Sequence, residues 1–225
     1  MKKIILLAFA AMFALPAVAS AGEWSLDPAG GKFPVAFTLT SSGNTILTTD
    51  DGSGLKLPCS GITGSGIQVT ATTSEKVTLT FSGCKDPLFG STCTSGGEPT
   101  GSILTTELVG HNVVLEKGPP EVRGILLTTR EGHFYTATCA GFFSMELGGS
   151  GVIGEMTAPT TCGAVSKTAT VEYKALAEGT QKWTQVTTSG GKVDLTSSKN
   201  GATPVTAAQE GTEAITFAES MGFTC

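Results

Sequence analysis

The stretch KVTLTFSGCKDPLFGSTCTSGGEPTGSILTTEL, residues 76–108, decides the fold class of this chain. Its first part alternates, with Val77, Leu79 and Phe81 on one face and Thr or Ser between them. A period of two residues is typical of a β-strand that is buried on one face. Residues 103–108 predict a second strand. The stretch therefore predicts two strands that enclose a long polar loop containing two cysteines.

The same alternation recurs outward from this stretch, at residues 33–40, 133–139 and 169–175. Residues 125–129 are apolar on both faces, which predicts a central strand covered on both sides. Thr, Ser and Gly are abundant, a composition that suits strands and turns. We therefore expect an all-β fold: an antiparallel β-sandwich or a partly closed barrel, crosslinked by disulfides.

Several short segments predict where the chain reverses or pairs. Residues 73–75 predict a hairpin connection, and residues 110–112 predict a turn before a return strand. The glycine cluster at 148–151 predicts a flexible hairpin turn, because it lacks the lysine and the following helix of a phosphate-binding loop. Residues 181–186 predict a further strand. Residues 55–59 predict a short strand. Pro58 predicts that it is an edge strand or that the strand ends there, since proline cannot donate to a central ladder.

The first 21 residues have the pattern of a secretory signal peptide. Lys2 and Lys3 precede a short apolar run, and a small-x-small cleavage site ends at Ala21. The run is too short to span a bilayer as a helix. We expect export to the periplasm, the cell surface or the extracellular space, with cleavage near Ala21 and no transmembrane segment.

Cleavage there would leave residues 22–225, which we expect to form a single all-β domain. Residues 162–225 either add strands to the same core or form a small sub-lobe of that domain. The whole chain has a net charge of −5, and losing Lys2 and Lys3 would make it −7. This charge argues against a nucleic-acid partner and against attraction to anionic lipid.

Six cysteines, an even number, predict a disulfide framework in an exported chain. No C-x-x-C motif is present and only two histidines occur, so we expect neither a zinc site nor another metal site. Cys84 and Cys93 enclose a short loop that a local bridge could close, and sequence leaves the remaining pairing open. The pairing that we expect is Cys84–Cys93, Cys59–Cys139 and Cys162–Cys225.

No arrangement typical of an enzyme stands out in the sequence. It contains no G-x-S-x-G motif, and His111 and His133 fit a turn residue and a strand-end residue. Acidic side chains on or near predicted strands could form a glycosidase pair, but acids at outward-facing positions are the ordinary explanation. They are Glu107, Glu116, Glu146 and Glu155. We expect no catalytic residue and no cofactor.

Four aromatic residues could form a sugar-stacking face or pack in the core: Trp24, Trp183, Tyr135 and Tyr173. With so few of them, core packing is the interpretation we favour. We expect Trp24 to anchor the N-terminal segment.

Two groups of motifs carry a family resemblance. The first comprises 81–84, 93–97 and 101–108, and the second comprises 171–173, 179–182 and 190–195. In these motifs the chain resembles a group of exported, cysteine-containing bacterial proteins of uncharacterised activity. The resemblance spans most of residues 22–225. It implies an exported, crosslinked, mainly β protein, and it implies no catalytic residue.

These observations predict a non-enzymatic exported β-protein with a structural or binding role at the cell envelope or outside the cell. The alternative is a carbohydrate-binding or weakly carbohydrate-hydrolysing β-sandwich protein. A third hypothesis is assembly with like chains through exposed strand edges. The partner, whether an envelope protein or a glycan, is unknown. The expected contact element is the loop segment Asp86, Pro87, Leu88 and Phe89, because a rigid loop loses little entropy on binding.

Overall fold

The computed structural model describes residues 24–41, 43–49, 56–141, 143–176, 179–187 and 191–224. The expected signal peptide, residues 1–21, and Cys225 lie outside these ranges. The described residues contain β-strands and no helix. In chain order the strands are β1 Ser25–Pro28, β2 Val35–Ser41, β3 Thr45–Thr49, β4 Lys56–Cys59, β5 Gly61–Gln68, β6 Thr73–Ser82, β7 Cys93–Thr94, β8 Ile103–Leu104, β9 Leu108–Glu116, β10 Val122–Thr129, β11 His133–Cys139, β12 Phe143–Gly149, β13 Val152–Ala158, β14 Ala164–Tyr173, β15 Leu195–Lys199 and β16 Val205–Thr224.

Eight of the described strands form a closed antiparallel barrel. Their order is β2, β5, β6, β9, β10, β13, β14 and β16, and pairing of β16 with both β14 and β2 closes the ring. The expected all-β, antiparallel, disulfide-crosslinked fold is confirmed, and the barrel is fully closed. Closure leaves none of these eight strands with an unpaired edge along its ladder.

A second sheet grows from the same long strand. Residues 205–210 of β16 pair with β15 and β3, whereas residues 211–217 pair with β14 and β2 of the barrel. The order of the second sheet is β7, β11, β12, β15, β16, β3 and β4. Strand β16 therefore belongs to both sheets and fixes their positions relative to each other.

The predicted alternation is confirmed in the strands that line the core. In β2, Val35, Phe37 and Leu39 are buried, and the residues between them are exposed. In β6, the residues Val77, Leu79 and Phe81 are buried, and Thr78 and Thr80 between them are half-buried. Removing such apolar side chains from water is the main favourable term in folding.

Trp24 anchors the N-terminal segment, as predicted. Its side chain is fully buried and stacks on Phe223 with ring centroids 6.1 Å apart. Its indole N–H donates a hydrogen bond to the Gly124 carbonyl oxygen at 3.0 Å. The side chain thus connects the C-terminal end of β16 to β10, on another part of the barrel wall.

Strand β10 is covered on both faces, which confirms the expectation for residues 125–129. On the inner face, Leu127 belongs to the main core. On the outer face, Leu126 packs against a smaller cluster that includes Val186 and Val193. The segment that supplies Val186 was predicted as a strand over 181–186, but it forms only isolated bridges, at Gln181 and Gln185. It covers the barrel from outside without extending either sheet.

Three predicted turns are wrong: residues 73–75, residues 110–112 and the glycine cluster at residues 148–151. Residues 73–75 lie inside β6, and the chain turns at 69–72, where Val69 and Thr70 donate to the Thr73 carbonyl oxygen. Residues 110–112 lie inside β9, which runs without a turn from Leu108 to Glu116. These segments have turn-forming composition, but their backbone groups bond to neighbouring barrel strands, and that pairing outweighs local preference.

The glycine cluster at 148–151 is a crossing between the sheets and not a hairpin turn. Strand β12 before it pairs with β11 and β15 in the second sheet, and β13 after it pairs with β10 and β14 in the barrel. Close packing requires glycine here, since a Cβ on Gly149 would lie 2.2 Å from the Asp194 carbonyl oxygen. Its φ of 105° is also a conformation that favours glycine.

Candidate functional site

The loop between Cys84 and Cys93, hereafter the contact loop, is attached at both ends by disulfides. Cys84 bonds to Cys59 on β4, and Cys93 bonds to Cys139 on β11. The expected pairs Cys84–Cys93 and Cys59–Cys139 are therefore wrong. One end of the loop lies beside β4 and the other beside β11. Each loop cysteine therefore bonds to the cysteine of the strand next to it. Proximity in sequence does not determine this pairing.

The contact loop joins the two edges of the second sheet. At one edge, the Lys85 N–H donates to the carbonyl oxygen of Pro58 on β4, at 3.0 Å. At the other edge, Cys93 of β7 pairs with Cys139 of β11. Lys85 and Thr92 pair across the loop itself. Pro58 does lie in an edge strand, as predicted. The loop covers strand edges that would otherwise be open to pairing with other chains.

Asp86 holds the tip of the contact loop from inside. Its side chain is fully buried, and its carboxylate oxygens accept hydrogen bonds from the Leu88 and Phe89 N–H groups at 3.0 and 3.2 Å. Its backbone also bonds to Gly90 and Ser91. Asp86 is therefore a positioning residue and does not itself face a partner.

Leu88 and Phe89 point outward at this tip. They are 67% and 69% exposed, and Pro87 beside them is also exposed. A single exposed apolar residue is normal on a protein surface. Adjacent large apolar residues that are both exposed often mark a contact surface. The structure thus places the four predicted contact residues in two roles: Asp86 orders the tip, and Pro87, Leu88 and Phe89 form its surface.

We expect Asp86→Ala to loosen the tip without unfolding the protein. Two N–H groups lose their acceptor, which should lower the free energy of local opening of the loop by about 1 kcal/mol or more. Hydrogen exchange at the Leu88 and Phe89 amides measures this, and exchange there should accelerate severalfold. Asp86→Asn keeps one side-chain acceptor and should retain part of the protection. Equal exchange in wild type and D86A would contradict the role given to Asp86.

A third disulfide includes Cys162, which is also oxidised. The Arg123 guanidinium lies beside it, with one nitrogen 3.4 Å from the Cys162 sulfur and 2.9 Å from the Thr160 carbonyl oxygen. The expected partner, Cys225, lies outside the described residues.

The residues considered for catalysis lie on several different elements of the part of the chain that the structure describes. His111 lies within β9 instead of a turn, and His133 begins β11, as predicted. Glu107, Glu116 and Glu146 are exposed acids. Among the described residues, no group of three or more His, Cys, Asp or Glu could hold a metal ion. No described helix is long and apolar enough to cross a membrane.

The aromatic residues that could have stacked on sugars are mainly inside the molecule. Trp24, Tyr135 and Tyr173 are buried, and burial raises the pKa of Tyr135 above its ordinary range. Trp183 is half-buried, and its indole N–H donates to the Glu155 carboxylate at 3.0 Å. Among the described Trp and Tyr side chains, Trp183 is therefore the one that is partly exposed, and it is held by Glu155.

Glu155 is the centre of a small charged cluster on the outer wall. The Lys182 ammonium lies 2.6 Å from its carboxylate. Burial raises the pKa of Glu155, but the hydrogen bonds from Lys182 and Trp183 and the charges of Lys182 and Lys174 outweigh it, so the pKa is below its ordinary value. The cluster attaches the segment around Trp183 to β13 and explains the position of this acid in structural terms.

Glu213 is a buried acid inside the barrel that was not among the residues predicted from the sequence. It is 1% exposed and lies in a run with Ile215 and Phe217, which the sequence places on the same face of one strand. Burial raises the pKa of Glu213 to about 7. The sequence feature that marks Glu213 is its place in the same alternation as Ile215 and Phe217, since an acid at a core-facing position is exceptional.

Comparisons with models of known protein families, with curated proteins and with solved structures found no match. The resemblance to exported bacterial proteins therefore stays a prediction. The function has to be argued from the geometry of the contact loop and the barrel.

Proposed function

We propose that this chain is an exported, non-enzymatic binding protein of the cell envelope or the extracellular space, and that the tip of the contact loop inserts into an apolar pocket on a partner protein. The observation that carries the proposal is the pair of exposed side chains, Leu88 and Phe89, on a loop held at both ends by disulfides. The disulfides also fit an oxidising compartment.

The order of the loop supports binding. Cys84, Asp86 and Cys93 are fully buried, so three points of the loop are fixed while its tip is exposed. A tip that is ordered before binding loses less conformational entropy when it docks. Burying an apolar side chain of this size contributes about 1.5–3 kcal/mol.

The chemistry of the exposed side chains supports a protein partner more than a glycan. Sugar-binding surfaces usually present several exposed aromatic rings. Here Phe89 is one exposed ring, and among the described Trp and Tyr residues only Trp183 is half-exposed. Leu88 is aliphatic, so it is better suited to an apolar pocket on a protein than to stacking on a sugar ring. The acidic net charge of the chain argues against a lipid surface as the partner.

We expect the double substitution Leu88→Ser and Phe89→Ser to reduce partner binding at least about tenfold, the effect of losing about 1.4 kcal/mol. A photo-crosslinking amino acid at position 89 would first identify the partner in the envelope fraction of the source organism. Affinity for that purified partner is then measured for wild type and the double variant.

The matched control is Val165→Ser with Leu176→Ser, which changes two other exposed apolar residues, 68% and 53% exposed. A crosslinker at position 165 should not capture the same partner. Unchanged affinity in the Leu88/Phe89 variant, or equal loss in the control, would remove the contact loop from the proposed function.

A further inference from the structure

Glu213 lies where the barrel closes. Its backbone pairs with Val171 of β14 on one side and with Ser41 of β2 on the other. Two residues earlier on β16, Gly211 pairs with Tyr173 at the end of the β14 ladder. The ladder between β14 and β16 over these residues, hereafter the seam, is the pairing that turns the sheet into a ring.

The Glu213 carboxyl group faces a small interior cavity of about 30 Å³. That volume accommodates a water molecule or two and no organic ligand. One carboxyl oxygen accepts a long hydrogen bond from the Gln209 amide at 3.4 Å, and the other has no hydrogen-bond partner within the described structure. The chemistry available to this group is therefore the gain or loss of a proton.

Among the described residues that line the cavity, none carries a positive charge that could compensate an ionised Glu213. The residues that line the cavity include Tyr173 from β14, Gln68 from β5, Ser74 from β6 and Asn112 from β9. Among the described lining residues, Tyr173 is the other titratable group, and no Lys, Arg or His is present. Strands β2, β10 and β13 contribute apolar side chains to the lining: Phe37, Leu39, Ile125, Leu127 and Met156.

Tyr173 makes ionisation of Glu213 no easier. Burial raises the pKa of Tyr173 well above its ordinary value, and the Glu213 charge raises it further. Its ring packs closely against the backbone of β13, since a Cβ on Gly154 would lie 2.8 Å from that ring. Burial in a low-dielectric interior thus favours the neutral form of both Glu213 and Tyr173.

We propose that closure of the barrel is proton-dependent: the seam between β14 and β16 stays paired while Glu213 is protonated and opens more often once the carboxyl group is ionised. An ionised carboxylate without a partner is strongly disfavoured inside an apolar barrel. Opening the seam gives it access to water. Residues 205–210 of the same strand can remain paired in the second sheet, so the opening is local.

The size of the effect follows from the two ionisation constants. The pKa of Glu213 is about 7 in the closed barrel, against an ordinary value of 4.5 when the group is solvated. Raising the pH from about 5.5 to about 8.5 therefore increases the population of the open seam about 30-fold.

The test is hydrogen exchange of the amides in residues 168–173 and 211–216, corrected for the intrinsic pH dependence of exchange. Protection in the wild type should fall about 30-fold over this pH range. Amides in β11 and β12 that exchange through local opening of the second sheet, and not through global unfolding, should change much less. In Glu213→Gln, which cannot ionise, protection of the seam should be independent of pH.

Three results would overturn the proposal: no loss of seam protection in the wild type, the same loss in E213Q, or an equal loss at the amides of β11 and β12 that exchange through local opening. If E213Q does not fold, the carboxyl carbon shift of Glu213 in wild-type protein decides the question. A midpoint near 7 supports the proposal, and a midpoint near 4.5 rejects it.

Discussion

Replacing Cys93 and Cys139 together by alanine should lower the free energy of unfolding by about 4 kcal/mol, on the loop-closure estimate for two cysteines 46 residues apart. The bond restricts the unfolded chain, and the folded barrel loses that advantage when the bond is absent. Removing Cys59 and Cys84, 25 residues apart, should cost about 3.5 kcal/mol by the same estimate. The order of the two effects is the specific expectation.

Both bridges are also part of the core, because all four cysteines are buried. Alanine keeps the sites apolar, so the variants report mainly the loss of the crosslink. Urea unfolding of each variant in its oxidised form, compared with wild type, measures the difference. The matched control is the same comparison after full reduction, in which wild type and variants should differ much less.

Peptide mapping without reduction identifies the pairing independently. Trypsin should yield peptide 57–76 bonded to 77–85. Peptide 86–117 should be bonded to 131–167, which contains Cys162 as well as Cys139 and therefore also carries the peptide bonded to Cys162. The pairing of Cys84 with Cys93 would instead join 77–85 to 86–117. Recovery of that second product from oxidised protein would contradict the structure of the contact loop.

Glu213→Gln should stabilise the protein at pH 8 by about 3 kcal/mol, because the variant keeps the shape of the neutral acid and cannot ionise. In the wild type, the pKa is raised from 4.5 to about 7 by burial. Between these values the unfolded chain releases a proton that the folded chain retains, so stability falls as the pH rises. Below the window both states are protonated, and above it both are ionised.

Urea unfolding at pH 4, 6 and 8 measures this dependence. Wild type and E213Q should have similar stability at pH 4 and should separate progressively by pH 8. Glu219→Gln is the matched control, since Glu219 is half-buried on the same strand and should leave the dependence of the wild type unchanged. Equal slopes for wild type and E213Q between pH 4.5 and 7 would show that Glu213 does not ionise inside the barrel.

Local patterns predicted the elements whose side-chain period is set by burial. Strands β2, β6 and β11 follow an alternation that is visible in the sequence, and β10 follows its continuous apolar run. The exposed tip at Leu88 and Phe89 was also predictable, because proline and glycine flank it in a polar loop. In each case the signal is a property of neighbouring residues.

The sequence by itself determined an all-β chain, a set of cysteines suited to crosslinking and one loop able to present an apolar pair. The tertiary structure alone decided which cysteines pair, where the glycine cluster crosses between sheets and how β16 joins both of them. It also decided that Glu213 faces the barrel interior. The physical reason is that these features depend on contacts between residues far apart in sequence, and the alternation within a strand shows which face is buried but not which strand lies against it.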